Sequence, residues 1–182
     1  MVNKKLVIIL IVLNVVLLSL IVVFLLTLSI GKCSTQSETR TVHGISMSPI
    51  IKDGQEVKLI KNYYNCHKVG RNDIIAYNYS GDINPLIKIV KGIPGDKFSM
   101  QSFNNSQEWK ILINGSIIYN SENKPYLLTQ SEYNLLLIYE DSYKGIIPDN
   151  AYLILGDVAP NSIDSRHFGL IDKSDIIGKI VL

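Results

Sequence analysis

The sequence predicts a mostly β fold, a barrel-like twisted antiparallel β-sheet domain preceded by one N-terminal transmembrane helix. Three observations carry that expectation. Residues 6–30 form a run of 25 residues without a charge, and about 20 apolar residues suffice to cross a bilayer core. Beyond the run, short apolar stretches of strand length alternate with Gly, Pro, Asn and Asp turn signals. No clear amphipathic helical period follows the run.

The apolar run comes first in chain order and has only Asn14, Ser19, Thr27 and Ser29 as polar members. A secretory signal has a hydrophobic region of only about 7–15 residues. This longer run, with no Ala-x-Ala-like site after it, therefore reads as a retained anchor. Lys4 and Lys5 flank it on one side, Lys32 and the more distant Arg40 on the other. That bias sets residues 1–5 in the cytoplasm and the remainder outside, a single-pass arrangement in the cell membrane. A lipoprotein reading fails because Lys32 precedes Cys33, where a small residue is needed.

Residues 31–41, rich in Ser, Thr and Gln, read as a flexible stalk. Residues 42–182 read as one extracytoplasmic β domain, large enough to bury a core. Strands are expected at 56–61, 73–79, 86–93, 151–155 and 176–182. Residues 111–113 and 117–119 flank Asn114-Gly115, a pair suited to the positive φ angles of a type I′ hairpin turn. Residues 99–109 and 120–145 read as excursions from the β core, their aromatic residues as packing. The class of the short apolar run 135–138 stays open.

Charge excludes one class of function. The chain holds 18 Lys and Arg against 16 Asp and Glu. Lys4 and Lys5 are the only charges before residue 31, so the outer part is balanced and carries no basic stretch. Nucleic-acid binding has no support. Cys33 and Cys66 both fall outside, where oxidation is permitted, although two unpaired thiols are the plainer expectation. His43, His67 and His167 show no metal-ligand spacing, so neither a metal nor a cofactor is expected.

Three segments carry candidate chemistry. Ser46, in Gly44-Ile45-Ser46-Met47-Ser48-Pro49, sits in a tight turn that can present a hydroxyl beside backbone N–H groups. Lys88 is the only cation in Leu86-Ile87-Lys88-Ile89-Val90, and burial among apolar neighbours favours a neutral amine able to act as a base. Ser162, Asp164 and Arg166 lie in a third loop, where Ser162 can hold the amine and Asp164 can pair with Arg166. Taken singly, each has a plainer reading: a turn serine, a solvent-facing lysine on an edge strand, and a surface ion pair. His43 is a rival base for Ser46, with no orienting acid at recognisable spacing.

Together the three segments resemble type I signal peptidases of the bacterial, Gram-positive-like kind. The family's Ser-Met-x-Pro stands here as Ser46-Met47-Ser48-Pro49. Its Lys-x-x-x-Gly-x-Pro-Gly-Asp stands as Lys88 through Asp96, and its closing Gly-Asp…Ser-x-Asp-Ser-Arg as Gly156-Asp157 through Ser162-Ile163-Asp164-Ser165-Arg166. The resemblance spans the anchor and nearly all of 40–182. It implies a Ser46/Lys88 dyad that cuts signal peptides from exported preproteins after small residues, without a cofactor. It also implies that Val42, Met47 and Ile87 wall the substrate pockets. Implied partners are preprotein signal peptides, membrane lipid and the secretion translocon. The sequence departs from the family at Val158 and Ala159 (a usual Asn and a common Arg), at Ile89 (often Arg), and at Gly44, where some members carry a hydroxyl. Two alternatives stay open: a catalytically silent anchored module that binds exported chains, and a conjugation-type processing peptidase of the same superfamily.

Overall fold

The computed structural model describes residues 4–28, 34–79, 84–104, 108–158 and 162–182. The chain divides into two compact units, Met1–Ser34 and Thr35–Leu182. The first holds one helix, α1 (Lys4–Leu28). Residues 10–24 of α1, the inner stretch described at side-chain level, are all exposed. Among the described residues no helix is long and apolar enough to cross a membrane. The end of the expected anchor, the start of the expected stalk, Cys33 and Ala159 lie outside the described residues.

The second unit is built from antiparallel strands. Its first, β1 (Gln36–Thr41), falls where a flexible stalk was expected. It pairs along its whole length with β2 (Glu56–Lys61), from Gln36 opposite Lys61 to Thr41 opposite Glu56. The difference has a physical cause: β1 is polar and almost wholly exposed, so no apolar alternation marks it, and backbone pairing alone holds it to the edge.

The strands β3 (Ile74–Tyr77), β4 (Leu86–Gly92), β9 (Ala151–Leu155), β10 (Ile171–Asp172) and β11 (Ile176–Val181) join these two. Among the described residues they form a seven-strand sheet in the order β1-β2-β11-β3-β4-β9-β10. A second sheet holds β5 (Phe98–Ser102), β6 (Trp109–Ile113), β7 (Ser116–Ile117) and β8 (Leu127–Leu128). The mostly β antiparallel class holds. Barrel closure by strand pairing is not seen among the described residues, since β1 and β10 each pair on one side only.

The Asn114-Gly115 hairpin forms as expected, with φ of 53° and 78° at its two turn residues. The two ends of the stretch 99–109 belong to the β structure: β5 and β6 pair directly, Phe98 opposite Ile113 and Ser102 opposite Trp109. The open run 135–138 lies within α2 (Gln130–Ser142). Its start is set by a capping box: the Glu132 N–H donates to the Thr129 hydroxyl, and the Thr129 N–H to the Glu132 carboxylate. Trp109 stacks on Tyr133 with ring centres 4.3 Å apart, so these aromatics do pack.

Successive residues of β9 face opposite layers. Leu153 and Leu155 join a core with Phe98, Ile111 and Leu136, while Tyr152 and Ile154 join another with Ile75 and Val90. A third cluster gathers Val42, Met47, Ile51, Leu59 and Ile89. β4 is an interior strand between β3 and β9. Its far end is pinned by Asp96, which accepts from Arg71, Asn114 and the Ile93 N–H.

Candidate active site

Lys88 is the third residue of β4, paired opposite Ile75 of β3. It is almost fully enclosed, with a residue exposure of 2%. The reading of this lysine as a solvent-facing group on an edge strand is therefore excluded. Its Nζ lies 3.0 Å from the Ser46 Oγ and 2.9 Å from the Ile87 carbonyl, to which it donates. Burial pushes the amine down to about 8; the nearby Asp164 carboxylate opposes that shift and the Arg166 guanidinium adds to it.

Ser46 rides on a turn between β1 and β2. Gly44 takes φ of 93°, a conformation suited to glycine, and its N–H donates to Asp53. Met47, 1% exposed, plugs the turn into the core below. The Ser46 carbonyl accepts from two N–H groups, those of Asp157 and Val158, at 2.8 and 3.1 Å. No acceptor takes the Ser46 N–H among the described residues. His43 is exposed and makes no hydrogen bond to Ser46 among those residues.

The third loop is a buried brace. Asp164 and Arg166 are 0% and 1% exposed. Arg166 donates Nε and one terminal nitrogen to the two Asp164 oxygens at 2.9 and 2.8 Å. This is a bidentate pair in the interior, where the plainer reading put it on the surface. Asp164 also accepts from the Gly156 N–H at 2.8 Å. Ser162 is fully buried but does not hold the amine: its hydroxyl has no hydrogen-bond partner among the described residues. The reason is packing. A Cβ placed on Gly156 would lie 2.1 Å from the Ser162 Oγ, so this hydroxyl is pressed against the Gly156 backbone.

A comparison with known families shows where the chain belongs. The family model described as signal peptidase, peptidase S26, matches residues 9–182. The chain belongs to this family. Among its relatives, signal peptidase IB of Staphylococcus aureus (strain Mu50) is 29% identical over 178 residues, covering 90% of this chain and 84% of that protein. Signal peptidase I of Bacillus caldolyticus is 29% identical over 142 residues, covering 76% and 74%. A crystal structure of a signal peptidase I from Enterococcus faecalis V583 covers 63% of this chain and 98% of that one, at 24% identity and a TM-score of 0.41. This chain is a serine endopeptidase of the signal peptidase type.

In this signal peptidase the sheet leaves a slot beside Ser46 and Lys88. β9 pairs with β4 only from Ile89 onward, as Ile89 opposite Leu155 and Val90 opposite Ile154. After Leu155 the chain leaves the ladder, because Gly156 gives its N–H to Asp164 and Asp157 and Val158 give theirs to Ser46. Leu86, Ile87 and Lys88 therefore have no strand partner on the β9 side among the described residues. Val42, Met47 and Ile87 meet in one apolar cluster next to this edge; Val42 and Met47 are buried and Ile87 is half-buried.

One functional group had no role assigned from sequence. Asp157, fully buried, accepts from the Ser121 N–H at 2.9 Å and from the Ser121 hydroxyl, and its carbonyl accepts from the Asn120 side chain. It thus ties the 120–121 loop to the Ser46 turn. Its place in Gly156-Asp157 was visible; the distant partner, 36 positions away, was not. Among the described residues no group of His, Cys, Asp and Glu could hold a metal. Cys66 is disulfide-bonded, which corrects the expectation of unpaired thiols.

Proposed function

We propose that this chain is a membrane-anchored endopeptidase that removes signal peptides from exported preproteins through a Ser46/Lys88 acyl-enzyme mechanism. The observation that carries the reading is the 3.0 Å approach of a buried, pKa-lowered Lys88 amine to the Ser46 hydroxyl. In the neutral form the amine lone pair takes the Ser46 proton as Oγ bonds to the scissile carbonyl carbon. The carbonyl electron pair moves to oxygen, where the uncommitted Ser46 N–H stabilises it. Collapse breaks the C–N bond, and Lys88 returns the proton to the leaving amine. Water then attacks the ester while Lys88 takes its proton, and Lys88 returns that proton to the Ser46 Oγ as the acyl C–O bond breaks and the new carboxyl product leaves. Asp164 and Arg166 act through position, bracing Gly156 and the field around Lys88.

The stretch before the cut lies extended against Leu86–Lys88 and against residues 41–43, taking the hydrogen bonds that β9 leaves unused. Val42, Met47 and Ile87 give shallow apolar walls that admit small side chains. The segment 6–30 crosses the bilayer with residues 1–5 in the cytoplasm, and 42–182 works outside as the catalytic domain. Lipid around that helix, the preprotein signal peptide and the secretion translocon that delivers it are the partners. The test is incubation of the purified full chain in detergent with a preprotein. Cleavage after a small residue is expected, and Ser46→Ala and Lys88→Ala are each expected to abolish it. Stoichiometric binding without cleavage would instead identify a silent binding module, and full activity in Lys88→Ala would exclude the dyad.

A further inference from the structure

A cleft of about 850 Å³ adjoins the candidate active site. None of Leu86, Ile87 and Lys88 lines it; among its lining residues are Asn120, Pro125, Tyr126, Leu135, Val158 and Arg166. Three observations connect it to the chemistry. Val158, on its wall, donates its N–H to the Ser46 carbonyl, and Asn120 donates to the carbonyl of Asp157, the neighbouring donor to Ser46. Arg166, also on its wall, is the Asp164 partner whose charge reaches Lys88. The Arg166 guanidinium lies 6.0 Å from the centre of the Tyr126 ring.

The lining has the character of a peptide site. Its volume falls in the range of clefts that enclose ligands of a few hundred daltons. Tyr126 is almost fully buried, and its hydroxyl has no hydrogen-bond partner among the described residues. Leu135 and Pro125 add apolar wall, and Ser131 and Glu122 stand exposed at the rim.

Direction follows from the ladder. The open edge of β4 ends where residues 156–158 turn away to bond Ser46. A chain that lies on that edge up to the scissile bond meets the Val158 wall immediately beyond it. We infer that this cleft receives the first residues of the exported chain after the cut, seating an apolar side chain against Pro125 and Leu135. The inference rests on the Ser46/Lys88 reading and adds to it a second region of substrate contact.

The test uses the full chain in detergent and two peptides identical up to the scissile bond. One ends in an amide directly after the residue that follows the cut; the other continues for several residues with a leucine and a phenylalanine. The wild type is expected to cut the longer peptide with about tenfold higher kcat/KM, expressed in KM, the gain of one partly buried apolar side chain. In Ser131→Trp, which blocks the rim from an exposed position, and in Leu135→Arg, the long-to-short ratio should fall close to unity. The ratio is internal to each sample, so partial unfolding scales both rates alike. A wild-type ratio near unity, or a ratio unchanged in both variants, overturns the cleft assignment and leaves the dyad standing. Failure of the wild type to cut either peptide refutes the peptidase reading, and this inference with it.

Discussion

A lysine amine at the centre of a β-sheet is costly to keep charged, and that cost is what suits Lys88 to the proposed role of a base. With burial holding it at about 8, a substantial neutral fraction exists near neutral pH. A lysine left at its ordinary value would have almost none. On the proposed mechanism Lys88 acts as a base and must be unprotonated, so kcat/KM is expected to rise with pH and to level off above about 8, which a pH–rate profile on a peptide substrate will read. The same group bears on stability. Between about 8 and its ordinary value of 10.5, the unfolded chain holds a proton that the folded chain has released. Unfolding free energy therefore rises with pH across that window and carries its full penalty below it. Lys88→Met removes the penalty, so the variant should be inactive yet more stable than wild type at pH 7, by roughly 1–3 kcal/mol in denaturant titration. A Lys88→Met chain that is less stable than wild type at pH 7 would mean that the amine is not held at an energetic cost.

At the scale of elements, the site depends on where β9 stops. Leu155 is paired and Gly156 is not, because the next N–H groups are committed to Asp164 and Ser46. No side chain fits at the exit: a Cβ on Gly156 would meet the Ser162 Oγ at 2.1 Å and the Ser46 carbonyl oxygen at 2.8 Å. Gly156→Ala must therefore push the Ser46 turn aside. It is expected to lower kcat by at least about tenfold and to destabilise the domain by about 1–3 kcal/mol, measured by peptide cleavage and thermal unfolding. Retained wild-type kcat would show that the turn tolerates displacement. The β4 and β9 strands and the Asn-Gly hairpin were legible from apolar runs and turn residues. β1 was not, because an exposed edge strand of Gln, Ser, Glu, Thr and Arg has no apolar face to betray it. α2 was missed although Thr129 and Glu132 stand three apart. The helix buries chiefly Leu136, so its hydrophobic period is faint and the capping box was its clearest mark.

On the scale of the whole molecule, the chain pairs a 25-residue helix with a separate β unit. If residues 6–30 anchor the protein, the full chain should sediment with membranes and resist alkaline carbonate, and a chain lacking them should appear in the soluble fraction. Release of the intact chain by carbonate alone would refute the anchor. The sequence by itself determined the mostly β class, the apolar run and the identity of Ser46, Lys88, Asp164 and Arg166, since residue type, spacing and local periodicity are properties of the chain order. Only the tertiary structure decided that Lys88 is interior, that Asp164 and Arg166 form a buried brace, that Ser162 packs on Gly156 without reaching the amine, and that Asp157 links Ser121 to the Ser46 turn. Those outcomes depend on which strands become neighbours. Neighbours in a sheet are set by burial and pairing between segments tens of residues apart, which no local pattern records.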